Sequence, residues 1–196
     1  MIRIGIVGDI GSGKSYVSKQ FGFPVFNADI EVNKIYKKNK KCFKKLNKTF
    51  PNYIISFPVK KKEISKVILK NKNNIKKINK IVHSEVRFAM NKFLKKNRKK
   101  KAVVLDVPLL LENKINNKKD VLVFVDAKKK DIEKKLIKRK NYNKKIIKKL
   151  RKLQLPLEIK KEKSNFIINN NFKSLSIKKS VKIIKNKILK NERSSS

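Results

Sequence analysis

"GDIGSGKS", residues 8–15, decides the fold. It holds three of the chain's five glycines and follows the apolar run Ile4-Gly5-Ile6-Val7. Its spacing is G-x-x-x-x-G-K-[ST] in full. Glycine lets a backbone wrap closely around phosphates with its N–H groups turned inward. A helix expected from about Lys14 to Phe21 adds its positive N-terminal end to the same place. A strand before and a helix after are the context this loop needs, and they separate it from a chance glycine turn. Gly11, Ser12, Gly13, Lys14, Ser15 and Tyr16 are therefore the expected ATP contacts. Lys14 would reach the β- and γ-phosphates, the Ser15 hydroxyl would ligate Mg²⁺, and Tyr16 would offer its backbone N–H.

Working outward, residues 2–7 read as a buried strand and "PVFNAD" (24–29) as a second one ending at a carboxylate. "AVVLDV" (102–107) and "VLVFVD" (121–126) are nearly continuous apolar runs of strand length. Such runs suit strands covered on both faces, as in a parallel sheet. "NFIINN" (165–170) is the fifth strand. Helices are expected over 30–38, 129–140, 143–164 and 174–190. Between strands two and three, residues 39–101 are Lys/Asn-rich and mostly helical. The clearest helix there runs from about Asn74 to Leu94, with Ile75, Ile78, Val82, Val86, Ala89 and Phe93 recurring at three- and four-residue steps. Strands alternating with helices give an α/β class with a five-stranded parallel sheet. Residues 191–196 read as a disordered tail.

Composition sets the outer limits. The 196 residues suffice for one domain with a true core. The formal charge of +42 would suggest a nucleic-acid or membrane partner. Yet only six of the 56 basic residues are arginine, the side chain that makes bidentate contacts to guanine and phosphate. The lysines are also spread evenly, 10, 14, 15 and 11 across residues 1–50, 51–100, 101–150 and 151–196. Together with the abundant Asn and Ile, this fits a compositional bias on tolerant surface positions. No specific nucleic-acid partner is expected. One cysteine, Cys42, allows no internal disulfide and fits a reducing compartment. One histidine, His83, allows no His/Cys metal cluster. The longest apolar candidate, residues 102–112, is broken by Asp106 and Pro108, so no membrane span or membrane partner is expected. The N-terminus carries no signal-peptide pattern. A cytoplasmic protein is expected, monomeric with an oligomer left open.

Three further sites carry chemistry. Asp106 ends the third strand, at the strand edge where ligands of parallel sheets bind. It could hold Mg²⁺ as a Walker-B acid does, or cap a helix before Pro108. Asp29 ends the second strand and is either a general base for an acceptor hydroxyl or the N-cap of a helix starting at Ile30. The residues alone leave both open. Arg139, in "KKLIKRK", would end a helix after the fourth strand and could neutralise transition-state charge. His83 and Arg87 in "IVHSEVR" lie four apart, on neighbouring turns of one helix side. They could grip an anionic acceptor, or be a half-buried polar group and a solvated charge.

Taken in order, these segments resemble the dephospho-coenzyme A kinase family. Its G-L-T-G-G-I-G-S-G-K-S stands here as "GIVGDIGSGKS" (5–15), its D-A-D as "NAD" (27–29), and its I-H-P-x-V-R as "VHSEVR" (82–87). Its D-V-P-L-L-F-E stands as "DVPLLLE" (106–112). Its Q-x-P-x-x-x-K followed by A-D-x-V-I-D-N stands as "QLPLEIKKEKSNFIINN" (154–170). The resemblance implies a three-layer P-loop fold with a nucleotide-binding core (about 1–38, 102–138 and 165–190). It also implies a helical acceptor-binding insertion (about 39–101) and a lid (about 139–164). It implies transfer of the ATP γ-phosphoryl group to the ribose 3′-hydroxyl of dephospho-CoA, with Mg²⁺. On this resemblance Asp29 is the base, Lys14 and Arg139 are catalytic, and His83 and Arg87 bind the acceptor. Four positions depart from the pattern. Asp9 replaces a common glycine and brings negative charge near the phosphates. Asn27 replaces the first acid of D-A-D, Ser84 replaces proline, and Arg151 stands three residues before Gln154 instead of four. The alternatives are another P-loop kinase of a small metabolite, such as a nucleoside monophosphate or shikimate, or a basic ATP-dependent nucleic-acid-binding protein.

Overall fold

A computed structural model describes residues 1–71, 73–139 and 142–193. The chain divides into two compact units. The first comprises Met1–Asn27, Asn97–Tyr142 and Arg151–Ser196; the second comprises Ala28–Lys96 and Asn143–Leu150.

The first unit is built on five parallel strands: β1 (Ile2–Gly8), β2 (Val25–Asn27), β3 (Ala102–Asp106), β4 (Val121–Asp126) and β5 (Phe166–Asn169), in the order β2-β3-β1-β4-β5. Register follows the apolar pattern, with Ile4 opposite Val104 and Ile6 opposite Val123. Alternation along a strand sends these side chains to one sheet face. There they meet Val17 and Phe21 of α1 (Lys14–Gln20) and Ile177, Val181, Ile184 and Ile188 of the long C-terminal helix (Ser174–Arg193). Fully burying a side chain such as Phe21 contributes about 2–3 kcal/mol. On the opposite face the strands meet Leu110 closely: a Cβ at Gly5 would lie 2.6 Å from a Leu110 methyl. The sheet is thus covered on both sides, as its continuous apolar strands require. At its lower edge Arg3 pairs with Asp120 at 3.0 Å; burial still raises the Asp120 carboxyl, against the pull of the Asn117 N–H and Arg3.

The second unit is helical: α2 (Ala28–Lys38), α3 (Lys40–Thr49), α4 (Lys61–Lys70) and α5 (Asn74–Lys96), with most of α7 (Lys144–Arg151). In α5 the buried stripe is Ile75, Ile78, Val82, Val86 and Met90. Met90 takes the place expected of Ala89, because four-residue steps from Val82 keep to one face. Asn39 caps α3 by accepting from the Cys42 N–H at 2.8 Å and donates to Glu85 of α5 at 2.9 Å. Lys149 donates to the Ile68 and Leu69 carbonyls at 2.9 Å each, satisfying the end of α4. Cys42 is buried, and burial followed by the Glu85 carboxylate pushes its thiol up to about 11, so it is protonated at neutral pH.

Two sequence expectations are corrected. The second strand stops at Asn27, and Asp29 belongs to the first turn of α2, which already begins at Ala28. Asp29 therefore ends no strand and is not an N-cap before Ile30. An acid in a first turn favours the helix dipole, and this lets the helix start earlier. The helical stretch 143–164 is two helices, α7 and α8 (Leu157–Glu162), separated by residues 152–156. Pro156 is the N-cap of α8 and has no N–H to continue a preceding helix. Between β4 and α7 lies α6 (Lys129–Ile137), and α9 is the C-terminal helix, running to Arg193. The tail expected at 191–196 lies outside the described residues from 194 onward.

Candidate active site

The glycine loop has the backbone its sequence requires. Gly11 and Gly13 have φ of 88° and 92°, in the left-handed region that favours glycine. Gly13 is the N-cap of α1, and its carbonyl accepts from the Tyr16 and Val17 N–H groups at 3.0 and 3.1 Å. A Cβ at Gly13 would collide with the Asn170 amide. That amide donates to the Ser12 carbonyl at 2.7 Å, while its oxygen accepts from the Phe172 N–H at 2.7 Å. Asn170 is buried and fastens the end of β5 to the loop. Lys14 extends its ammonium to the Asp9 carbonyl at 2.7 Å and the Gly8 carbonyl at 3.3 Å. The positive group thus lies over the loop's opening residues.

Beside the loop stand the two oxygen donors expected for Mg²⁺. Asp106 ends β3, is 3% exposed and lies in register with Asn27 of β2. The Asn27 amide donates to Asp106 Oδ2 in a short hydrogen bond and also reaches Ser15 Oγ at 3.5 Å. Ser15, Asn27 and Asp106 thus form one polar chain at the C-terminal edge of the sheet. Asn27 does more than mark a lost acid: it ties the strand carboxylate to the serine.

A second polar network flanks the loop. Asp9 pairs with Arg151 at 3.0 Å. Gln154, in the amide orientation that satisfies both neighbours, donates to Asp9 at 3.2 Å and accepts from Lys160 at 3.2 Å. Lys160 is 2% exposed and pairs with Glu112 at 2.7 Å, and Glu112 also accepts from the Leu155 N–H. Asp9, Arg151, Gln154 and Leu155 line a cleft of about 450 Å³ together with Ile132 of α6. Sequence reasoning assigned no role to Glu112, Gln154, Lys160 or Asn170. All four stand in the quoted motifs, so the signal was present without a partner to give it meaning.

The remaining expected residues are placed as follows. Arg139 is exposed one residue beyond the α6 cap, and its N–H donates to Leu136 at 3.0 Å. In the helical unit Asp29 is exposed at the start of α2. On α5, Arg87 is exposed and His83 half-buried. Burial, and then the Arg87 guanidinium one turn on, push the His83 imidazole below its ordinary 6.5. His83 is therefore neutral at pH 7. The sign follows: the unfolded chain takes up this proton first. The stability tied to neutral His83 is present above pH 6.5 and is lost as pH falls from there through the folded-state value. His83→Gln, which cannot titrate, is expected to lose less melting temperature than the parent between about pH 7.5 and 5.5. Equal losses would rule His83 out as the responsive group.

Residues 2–175 match the dephospho-CoA kinase family along their length. The chain belongs to the dephospho-CoA kinase family. A dephospho-CoA kinase of Wolbachia pipientis wMel is 33% identical over 171 residues, covering 85% of this chain and 87% of the relative. A Thermus thermophilus crystal structure matches with TM-score 0.76 at 24% identity, covering 93% and 95% of the two chains. The dephospho-CoA kinase of Campylobacter jejuni matches with TM-score 0.62 at 19% identity, covering 95% and 96%. These two structural likenesses bear on the fold, and they agree with the P-loop kinase architecture read from residues 8–15. The activity is that of the family: ATP-dependent phosphorylation of dephospho-CoA, the last step of coenzyme A synthesis. Among the described residues no helix is long and apolar enough to cross a membrane.

Proposed function

We propose that Asp29 is the general base of this kinase and takes the proton of the ribose 3′-hydroxyl as the γ-phosphoryl group of ATP is transferred to it. The N–H groups of Gly11 to Tyr16 and the Lys14 ammonium hold the phosphates. Lys14 and Arg139, on the segment 139–164 acting as lid, neutralise charge that builds up during transfer. His83, as a neutral hydrogen-bonding group, and Arg87, as a cation, bind the acceptor on the helical insertion. Ser15 and Asp106 would hold Mg²⁺. They fit, because Mg²⁺ takes oxygen donors, commonly one or two carboxylates with phosphate and water completing the shell. When bound, the ion neutralises phosphate charge. The hydrogen bond from the Asn27 amide to Asp106 supports that role by restraining the carboxylate. The enzyme works as a cytoplasmic monomer, and its surplus lysine gives only salt-labile attraction to polyanions.

The observation that carries this reading is the joining of Ser15, Asn27 and Asp106 beside a glycine loop whose lysine is already directed over it. An acceptor panel tests it. Purified protein with ATP and Mg²⁺ is offered dephospho-CoA, nucleoside monophosphates and shikimate. Turnover is expected with dephospho-CoA alone, with the product phosphorylated at the 3′ position. Faster turnover of any other acceptor would overturn the assignment.

A further inference from the structure

Position 9 holds a carboxylate in a loop built to receive a triphosphate, where its charge opposes the ligand's. The surrounding contacts deal with that charge. Asp9 Oδ2 accepts from the Arg151 terminal nitrogen at 3.0 Å, and Oδ1 accepts from Arg151 Nε at 3.4 Å and from the Ile10 N–H at 2.6 Å. Both side chains are largely covered, Asp9 at 13% and Arg151 at 30% exposure. Gln154 adds a further donor to Asp9, and the buried Lys160–Glu112 pair holds Gln154 in turn. The guanidinium engages the carboxylate through two of its nitrogens, the geometry that gives arginine pairs their directional strength.

We propose that Arg151 is a positioning residue that neutralises Asp9 and holds its carboxylate off the triphosphate, and that it is not itself a phosphate ligand. The proposal rests on the ATP-kinase reading above. Without Arg151, one unpaired negative charge would face the phosphates across the width of the loop. At a separation of about 6 Å and an effective dielectric near 20, that repulsion weakens ATP binding roughly tenfold or more. Restoring neutrality at position 9 would then remove the need for Arg151. A phosphate-binding arginine behaves differently, because its loss cannot be repaired by a change at Asp9.

The experiment uses four full-length proteins: the parent, Asp9→Asn, Arg151→Met and the double variant. Asparagine keeps the shape of the side chain and the acceptor for the Ile10 N–H. ATP dissociation constants are measured by calorimetry without acceptor, and KM and kcat with dephospho-CoA. Arg151→Met is expected to raise the ATP dissociation constant and KM about tenfold or more, with kcat within about threefold. Adding Asp9→Asn to it is expected to bring both constants back by about fivefold or more. A double variant no better than Arg151→Met would show that Arg151 binds phosphate directly and would overturn the proposal. So would an Arg151→Met protein that binds ATP within about twofold of the parent. Should Arg151→Met fail to fold, Arg151→Gln replaces it in the same set of four proteins, with the same expected rise in the ATP dissociation constant and the same recovery on adding Asp9→Asn. A double variant no better than Arg151→Gln would equally overturn the proposal. The calorimetric arm needs no acceptor. Absence of dephospho-CoA turnover in the parent would therefore sink the kinase reading while leaving the test of the pair in force.

Discussion

Asp29→Asn is expected to lower kcat for dephospho-CoA by about 10³-fold while ATP still raises the melting temperature as it does in the parent. The magnitude follows from the role. A positioned general base contributes about 10²–10⁴ in rate, and an amide cannot accept the hydroxyl proton. Ligand protection scales with ATP affinity, which on the proposed roles comes from the glycine loop and not from Asp29. The substitution is nearly isosteric at an exposed position in the first turn of α2, so packing is untouched. The favourable meeting of an acid with the helix N-terminus that the fold loses is worth about 0.3–1 kcal/mol. For a chain of this size that costs about 1–4 °C in melting temperature. Rate and stability therefore separate, and a purely structural role for Asp29 would not separate them. Steady-state kinetics at saturating ATP check the assignment. Turnover within a few-fold of the parent would leave Asp29 as a helix-start acid and nothing more.

The parts of the fold legible in the sequence are those governed by short-range rules. Residues 2–7, 102–107 and 121–126 are nearly continuous apolar runs, which suit a strand covered on both faces, and all three are strands near the predicted bounds. The glycine loop was legible because its steric demand is met by one residue type: Gly11 and Gly13 both adopt left-handed φ. Asp29 was misplaced by two residues because nothing local distinguishes the last residue of a strand from the first turn of the helix that follows. The break at 152–156 was visible in Pro156, but the helical pattern on either side masked it.

The polar networks were not legible, for a different reason. Asp9 and Arg151 are 142 residues apart in the chain, and Asn170 and Ser12 are 158 apart. No periodicity or spacing rule relates residues at such separations. The motif containing Asn170 marked it as notable without showing that it braces the phosphate loop. Likewise Asn27 read as a missing acid. Its value as a donor to Asp106 emerges only once β2 and β3 pair in register.

Lys14→Met is expected to lower kcat/KM for ATP by about 10³-fold and to abolish most nucleotide protection, with the melting temperature of the unliganded protein near the parent's. The ammonium donates to the Asp9 and Gly8 carbonyls, which positions it over the loop before any ligand arrives. A donor fixed in advance costs no reorganisation when charge develops on the γ-phosphate, and removing one such donor typically costs about 10²–10³ in rate. On the proposed role Lys14 also holds the ground-state triphosphate, so KM is expected to rise together with the fall in kcat, and kcat/KM to lose more than either alone. Methionine keeps the aliphatic stem, and the half-buried site lets water take over the Gly8 and Asp9 carbonyls. Nucleotide protection supplies the independent reading. At 100 times the dissociation constant ATP stabilises the parent by about 2.7 kcal/mol, and the variant at the same concentration should show a small fraction of that. Lys14→Arg should not rescue, because the planar guanidinium replaces a compact point charge in a loop whose width is set by glycine. Strong ATP protection in Lys14→Met would show that the backbone amides alone hold the triphosphate. The charge of residue 14 would then act on transfer and not on binding.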